Sequence, residues 1–148
     1  MNLSLLPSVL VLEDSDEDFD TLLEAAKRAE LSNPLHRATT GDDCLALLRG
    51  EAGAGLRPGI VLLDLNTPGT DGREALVAIR TNPSLRSVPV VVLSTSANPR
   101  DVSYCYEQGA NAYHVKPVRY DEHLGLLNKV FAYWLRDALL PGASGSLP

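Results

Sequence analysis

Three runs of the chain are continuously apolar and rich in β-branched residues, and they constrain the fold more than any other feature of the sequence. They lie at residues 8–13, 59–64 and 88–94. A strand that is apolar on both faces is typical of a parallel sheet covered by helices on both sides. Two shorter runs, Leu35–Ala38 and Ala112–Val115, bring the predicted strands to five.

Segments with helical periodicity follow these strands. Each begins with residues that favour a helix start, such as a capping-box sequence from Ser15 to Asp18 or an asparagine before a proline. Alternating strands and helices with short connections predict an α/β fold with a doubly wound parallel sheet and five helices, because each crossover is right-handed. The fifth helix is predicted to end near Asp137, and the predicted helix starts are Ser15, Thr40, Thr70, Asn98 and Tyr120.

The length and composition of the chain favour one domain. With 148 residues, of which 45% are hydrophobic, the chain can bury a core of its own. We predict a domain at residues 1–137 and a flexible tail at 138–148, which is rich in glycine, serine and proline. The net charge of −6 argues against nucleic-acid binding, and no membrane span or secretory signal is evident, so we expect a cytoplasmic protein. Cys44 and Cys105 are expected to be buried thiols.

Polar residues end four of the predicted strands. Glu13 and Asp14 end the first, Asp64 the third, Ser94 the fourth and Lys116 the fifth. In open α/β sheets, ligands bind beside the carboxyl ends of the strands. Crowded carboxylates repel one another unless a cation or a proton intervenes, and Mg²⁺ prefers oxygen ligands. The sequence therefore predicts a site for Mg²⁺ and a phosphoryl group.

Asp64 is the predicted nucleophile, because a carboxylate can attack phosphorus and form an acyl phosphate. The backbone carbonyl of Asn66 could reach the metal, and the hydroxyl of Ser94 could donate to a phosphoryl oxygen. Thr95 and Ser96 follow directly, so the residues alone leave the choice of hydroxyl open. Each side chain also has an ordinary interpretation, such as a cap for its own turn, and only their coincidence at four strand ends favours a site.

Taken together, these motifs resemble the receiver domains of response regulators in two-component signalling. The order and spacing of the motifs agree with that family over most of the chain. The resemblance implies a flavodoxin-like sheet with strand order 2-1-3-4-5. The residues that carry it are Glu13-Asp14, Val61-Leu62-Leu63-Asp64, Pro68-Gly69, Asp71-Gly72, Ser94 and Lys116-Pro117.

The resemblance also implies a function. A histidine kinase would transfer a phosphoryl group to Asp64, and Ser94 and Lys116 would bind the phosphoryl oxygens. Tyr113 matches the switch aromatic of the family. Such a protein is a phosphoacceptor that catalyses only its own Mg²⁺-dependent phosphorylation and dephosphorylation, not an enzyme with another substrate. The implied Mg²⁺ ligands are Glu13, Asp14, Asp64 and the carbonyl of Asn66.

Two further segments resemble the small, single-domain regulators that are paired with bacterial phytochromes. They are residues 12–19 and 131–135. The fifth helix also has an apolar arc broader than one core contact needs, which favours a partner surface. We therefore predict a homodimer through the fourth and fifth helices with Phe131, Tyr133 and Trp134. A terminal helix that is buried more fully than usual is the alternative.

Two other functions compete with this one. The stretch from Asp64 to Thr67 resembles the opening motif of haloacid-dehalogenase-type phosphatases, which are aspartyl-phosphate hydrolases. Those enzymes need a second acid two residues after the nucleophile, and the residue at that position is Asn66. The other alternative is an interaction module that keeps the fold without phosphorylation. The intact acids and Lys116 argue against it, because a scaffold has no need to crowd carboxylates.

Overall fold

A five-stranded parallel sheet lies between helices on both of its faces in the computed structural model, which describes residues 6–50, 55–67 and 71–141. The strand order is β2-β1-β3-β4-β5, so the predicted fold class and order are confirmed. The strands are β1 (Val9–Leu12), β2 (Leu35–Ala38), β3 (Ile60–Leu63), β4 (Val90–Ser94) and β5 (Ala112–Val115). The helices are α1 (Asp16–Arg28), α2 (Gly41–Arg49), α3 (Gly72–Thr81), α4 (Pro99–Glu107) and α5 (Tyr120–Ala132), and a π-helical turn follows at Tyr133–Asp137.

The three central strands are buried on both faces, as their continuous apolar runs predicted. Alternate side chains of each strand enter two separate cores. One core lies against α2 and α3 and contains Leu10, Leu12, Val61, Leu63, Val90 and Val92. The other lies against α1 and α5 and contains Val9, Val11, Ile60, Leu62, Val91 and Leu93. Burial of each such side chain contributes about 1.5–3 kcal/mol to the free energy of folding. The sheet is therefore a rigid support for the residues at its edge.

Most of the predicted helix starts are confirmed. The side chains of Ser15, Thr40 and Asn98 accept hydrogen bonds from the first turns of α1, α2 and α4. The prediction that Thr70 begins α3 is wrong, because Asp71 is the cap. Its carboxylate accepts from the amides of the first turn at 2.9 and 3.2 Å, and a negative charge is favourable at a helix N-terminus. Residues 68–70 lie outside the described ranges.

The residues at the end of α5 are not all exposed, as a partner surface would require. Phe131 is only 1% exposed and belongs to the core against α1, whereas Tyr133 is 56% exposed. The prediction that Phe131 lies in a partner surface is therefore wrong: the apolar arc of α5 is broad because one side of it fills the core. Leu140, within the predicted tail, is also buried, so packed structure continues past Asp137.

Both cysteine thiols are free and buried, as predicted. Burial raises the pKa of Cys44 to about 12, so the thiol stays protonated near neutral pH. Of the helices in the ranges given above, none combines the length and the apolar character that crossing a membrane demands.

Candidate functional site

The register of the sheet brings the predicted site residues to one edge. Leu12 pairs with Leu63, so Glu13 and Asp64 leave adjacent strands side by side. Ser94 pairs with Val115 at the ends of β4 and β5, which places Lys116 at the same edge. Because all five strands are parallel, their carboxyl ends must meet there. The structure therefore brings together residues that are as many as 103 positions apart in the sequence.

Three carboxylates meet at this edge. Glu13, Asp14 and Asp64 each offer an oxygen, and these oxygens all lie within 4.8 Å of one another. Glu13 and Asp64 are buried, whereas Asp14 is exposed, so the cluster opens to solvent on one side. An all-oxygen donor set with an open side suits a hard divalent cation that keeps some of its water ligands. The residues present thus fit the metal that the sequence predicts.

Lys116 lies beneath the carboxylates with a side chain that is only 5% exposed. Its ammonium donates to Glu13 Oε1 at 2.6 Å, to Asp18 Oδ2 at 3.0 Å and to Asp64 Oδ2 at 3.4 Å. Burial lowers the pKa of Lys116, but the hydrogen bond and charge of Glu13, with the charge of Asp64, outweigh burial and raise it. The ammonium therefore stays charged and directs one of its three N–H groups at the predicted nucleophile.

Glu13 is the most perturbed acid of the site. Burial raises its pKa from 4.5 to about 7, against the opposing hydrogen bond and charge of Lys116. The negative charge of Asp64 adds to the increase. A proton and a divalent cation therefore compete for Glu13 near neutral pH, because a metal ligand must be deprotonated.

Sequence reasoning missed the contribution of Asp18. The sequence predicts that Asp18 belongs to a capping box with Ser15, and Ser15 Oγ does accept from the Asp18 amide at 3.1 Å. The Asp18 carboxylate, however, binds Lys116. It is Glu13 Oε2 that accepts from the Ser15 amide, at 3.2 Å. The signal for Asp18 was its place in the first turn of α1, directly after the β1 acids.

The loop after β3 fixes the Asp64 carboxylate. The Asn66 amide donates to Asp64 Oδ1 at 3.1 Å, and the Gly72 amide donates to the Leu65 carbonyl at 3.0 Å. A side chain at Gly72 would clash with the Asp64 carbonyl oxygen and approach Leu65 Cα to 2.7 Å, so only glycine lets α3 start this close. The metal-binding role of the Asn66 carbonyl stays a prediction.

The three hydroxyls at the end of β4 have different environments. Ser94 is fully buried, and its Oγ accepts from the Ser96 amide at 3.1 Å. Ser96 donates its own hydroxyl to Asp101 at 2.6 Å, and Thr95 is exposed. Because Ser96 donates its hydroxyl to Asp101 and Thr95 is exposed, the structure favours the hydroxyl of Ser94, the last residue of β4. Its role at a phosphoryl group stays a prediction.

Tyr113 lies on the edge strand β5, as predicted. Its ring packs against the core that faces α2 and α3, and its hydroxyl donates to the Ser96 carbonyl at 2.8 Å. The side chain therefore contacts the loop that directly follows Ser94, so a movement of that loop would change the contact with Tyr113. Its role as a switch stays a prediction.

The fold and this site define a class of protein. The family model of the response regulator receiver domain matches residues 9–128, so the chain belongs to that family. It is a two-component response regulator, and its class of function is phosphoacceptor signalling.

Similar proteins and structures within this family include phytochrome response regulators. The chain is 36% identical to response regulator Rcp1 of Synechocystis sp., across 91% of this chain and 93% of the relative. Its structure is similar to that of the phosphorylated cyanobacterial phytochrome response regulator RcpA, with 33% identity, a TM-score of 0.87 and coverage of 92% and 99% of the two chains. The Mn²⁺-bound form of Rcp1 gives 34% identity, a TM-score of 0.85 and coverage of 91% and 99%.

Proposed function

We propose that the chain is a response regulator that accepts a phosphoryl group from a histidine kinase on Asp64, in a reaction that depends on Mg²⁺. The observation that carries this proposal is the Lys116 ammonium, 3.4 Å from Asp64 Oδ2, beside three carboxylates whose oxygens converge within 4.8 Å. A fixed cation and an acidic metal site next to one carboxylate are what phosphoryl transfer to that carboxylate requires. The Mn²⁺-bound form of the similar Rcp1 adds support for a divalent metal.

Each residue has a part in this reaction. Glu13, Asp14, Asp64 and the Asn66 carbonyl would hold Mg²⁺, which neutralises charge on the phosphoryl oxygens when it is bound. An Asp64 oxygen attacks the phosphorus of a phosphohistidine, the P–N bond breaks with its electron pair leaving on the imidazole, and an acyl phosphate forms. Lys116 and Ser94 donate hydrogen bonds to the transferred group. Hydrolysis of the acyl phosphate at the same site resets the protein.

The test uses the purified 148-residue chain and a small phosphodonor such as phosphoramidate. We expect the intact mass to increase by one phosphoryl group in the presence of Mg²⁺, and we expect the label to be lost in acid or alkali, as an acyl phosphate is. A chelator in place of Mg²⁺ should slow labelling by at least about a hundredfold, because the carboxylates then repel the incoming group. Equal labelling with the chelator would contradict the proposal.

The hydrolase alternative has no comparable support. Its mechanism needs a general acid two residues after the nucleophile. Asn66 occupies that position, and a neutral side-chain amide cannot serve as a general acid or base near neutral pH.

We also propose a phytochrome-type histidine kinase as the partner, since the similar RcpA is described as a phytochrome response regulator. The partner reaction would take place in the cytoplasm.

We propose homodimerisation through α4, β5 and α5. Several large apolar side chains on or next to these elements are exposed. The Tyr133 ring packs edge-to-face on Trp134, with 5.0 Å between the ring centroids. Such a surface favours a protein partner. The exposed residues are Tyr104, Tyr106, Val115, Val118, Tyr120 and Tyr133.

A charged residue introduced on this surface tests the dimer. Tyr133→Glu should raise the dissociation constant of the dimer by at least about tenfold in sedimentation experiments, because it leaves a charge in a desolvated contact. Leu23→Glu on α1 is the matched control, since Leu23 is also an exposed apolar residue. Unchanged association of the Tyr133 variant, or equal weakening by both variants, would argue against this surface.

A further inference from the structure

Ser96, in the loop after β4, is held at each of its polar atoms. Its amide donates to Ser94 Oγ at 3.1 Å, and its carbonyl accepts from the Tyr113 hydroxyl at 2.8 Å. Its own hydroxyl donates to Asp101 Oδ2 at 2.6 Å and accepts from the Asn98 amide at 3.2 Å. Ser96 therefore links the proposed phosphoryl donor Ser94 to β5 on one side and to α4 on the other.

Asp101 is held in turn by Arg73, which comes from a different helix. Arg73 Nη2 lies 3.0 Å from Asp101 Oδ1, and Arg73 Nη1 lies 3.5 Å from Asp71, the cap of α3. The hydrogen bond from Ser96 and the contact with Arg73 hold the pKa of Asp101 below its usual value, so the carboxylate stays ionised. One ion pair therefore connects α3, which follows the loop of Asp64, to α4, which follows the loop after Ser94.

We infer that Arg73 and Asp101 are positioning residues for phosphoryl transfer, and that they act by fixing the hydroxyl of Ser94 through Ser96. This inference rests on the proposed function, since it concerns the same transfer to Asp64. Because the Ser96 amide occupies a lone pair of Ser94 Oγ, the hydroxyl hydrogen remains to be donated to the phosphoryl group. Without the ion pair, Ser96 can turn away from Ser94. The Ser94 hydroxyl is then no longer held in the orientation that donates to the phosphoryl group.

Arg73 and Asp101 lie apart from the proposed metal ligands, so positioning of Ser94 can be tested independently of metal binding. Arg73 and Asp101 belong to α3 and α4, and their described ion pairs do not involve Glu13, Asp14 or Asp64. Their loss should therefore leave the affinity for Mg²⁺ unchanged. The pair is about one quarter to one third exposed, so its effect is expected to be moderate.

The experiment measures the rate of labelling of the full chain by phosphoramidate with saturating Mg²⁺. Arg73→Gln and Asp101→Ala should each lower the maximal rate by about threefold to tenfold, with the half-saturating donor concentration and the Mg²⁺ affinity unchanged. Asp101→Asn, which keeps an acceptor for Ser96, should recover part of the rate. Arg100→Gln, an exposed neighbour on α4 with the same charge change, is the control and should match the wild type.

A Ser94→Ala background distinguishes positioning from a general structural effect. If the two residues act through Ser94, adding Arg73→Gln or Asp101→Ala to Ser94→Ala should produce no further loss of rate. A further loss of equal size in that background would overturn the inference, as would rates within twofold of the wild type in the single variants. Failure of the wild type itself to be labelled would overturn the proposed function instead, so the two failures are distinct.

Discussion

Replacement of Asp64 by asparagine is expected to abolish phosphoryl transfer. The two side chains have nearly the same shape, but the neutral amide oxygen is a poor nucleophile and cannot form an acyl phosphate. With phosphoramidate and Mg²⁺, we expect the wild type to gain one phosphoryl group and the Asp64→Asn protein to gain none, as measured by intact mass.

The same substitution should leave the protein folded. Burial is the main cause of the raised pKa of Glu13, and the charge of Asp64 is a contributor. Removing that charge relieves part of the repulsion, so the free energy of unfolding without metal should stay equal or increase. Asp20→Asn, an exposed aspartate on α1, is the control with the same change in charge and should be labelled normally. A labelled Asp64→Asn protein would show that another residue is the acceptor.

The sheet and much of the site could be predicted because their signals are local. A continuous run such as Ile60–Leu63 can be satisfied only by burial on both faces, and its last residue places the next side chain at the sheet edge. Asp64 and Lys116 therefore follow from the strand ends alone. The distance between them does not follow, because it depends on the register of strands that are far apart in the sequence.

The residues that sequence reasoning misjudged are those with two plausible partners. Asp18 can serve its own helix terminus or reach across to Lys116, and only the tertiary position of Lys116 decides between them. Phe131 lies on a broad apolar arc, and only the packing of α5 against the sheet shows which side of that arc is core. The ion pair between Arg73 and Asp101 has no signal in the sequence, because its two residues lie on different helices and meet only in the folded protein.

Replacement of Lys116 by methionine is expected to slow phosphoryl transfer by about a hundredfold or more, because a charge-assisted donor to the phosphoryl oxygens is lost. It should also make stability depend strongly on pH. The hydrogen bond and charge of Lys116 lower the pKa of Glu13 against the effect of burial, so their removal raises that pKa further above its value of about 7. The folded protein then binds a proton that the unfolded chain releases near 4.5.

The sign of this effect follows from linkage. Where the folded state holds more protons than the unfolded state, the free energy of unfolding falls as the pH rises. Both proteins should lose stability as the pH rises from about 4.5 to 7, because Glu13 stays protonated in both folded states over that range. Above about pH 7 the Lys116→Met protein should continue to lose stability relative to the wild type, since its Glu13 still holds a proton, and Mg²⁺ should restore part of the loss by binding the freed carboxylates. Urea unfolding with a chelator at about pH 5 and pH 8 measures the difference. Lys129→Met, at an exposed position of α5, is the control and should show no such dependence. A stability difference that is constant between the two pH values would mean that Lys116 does not govern the protonation of the acidic cluster.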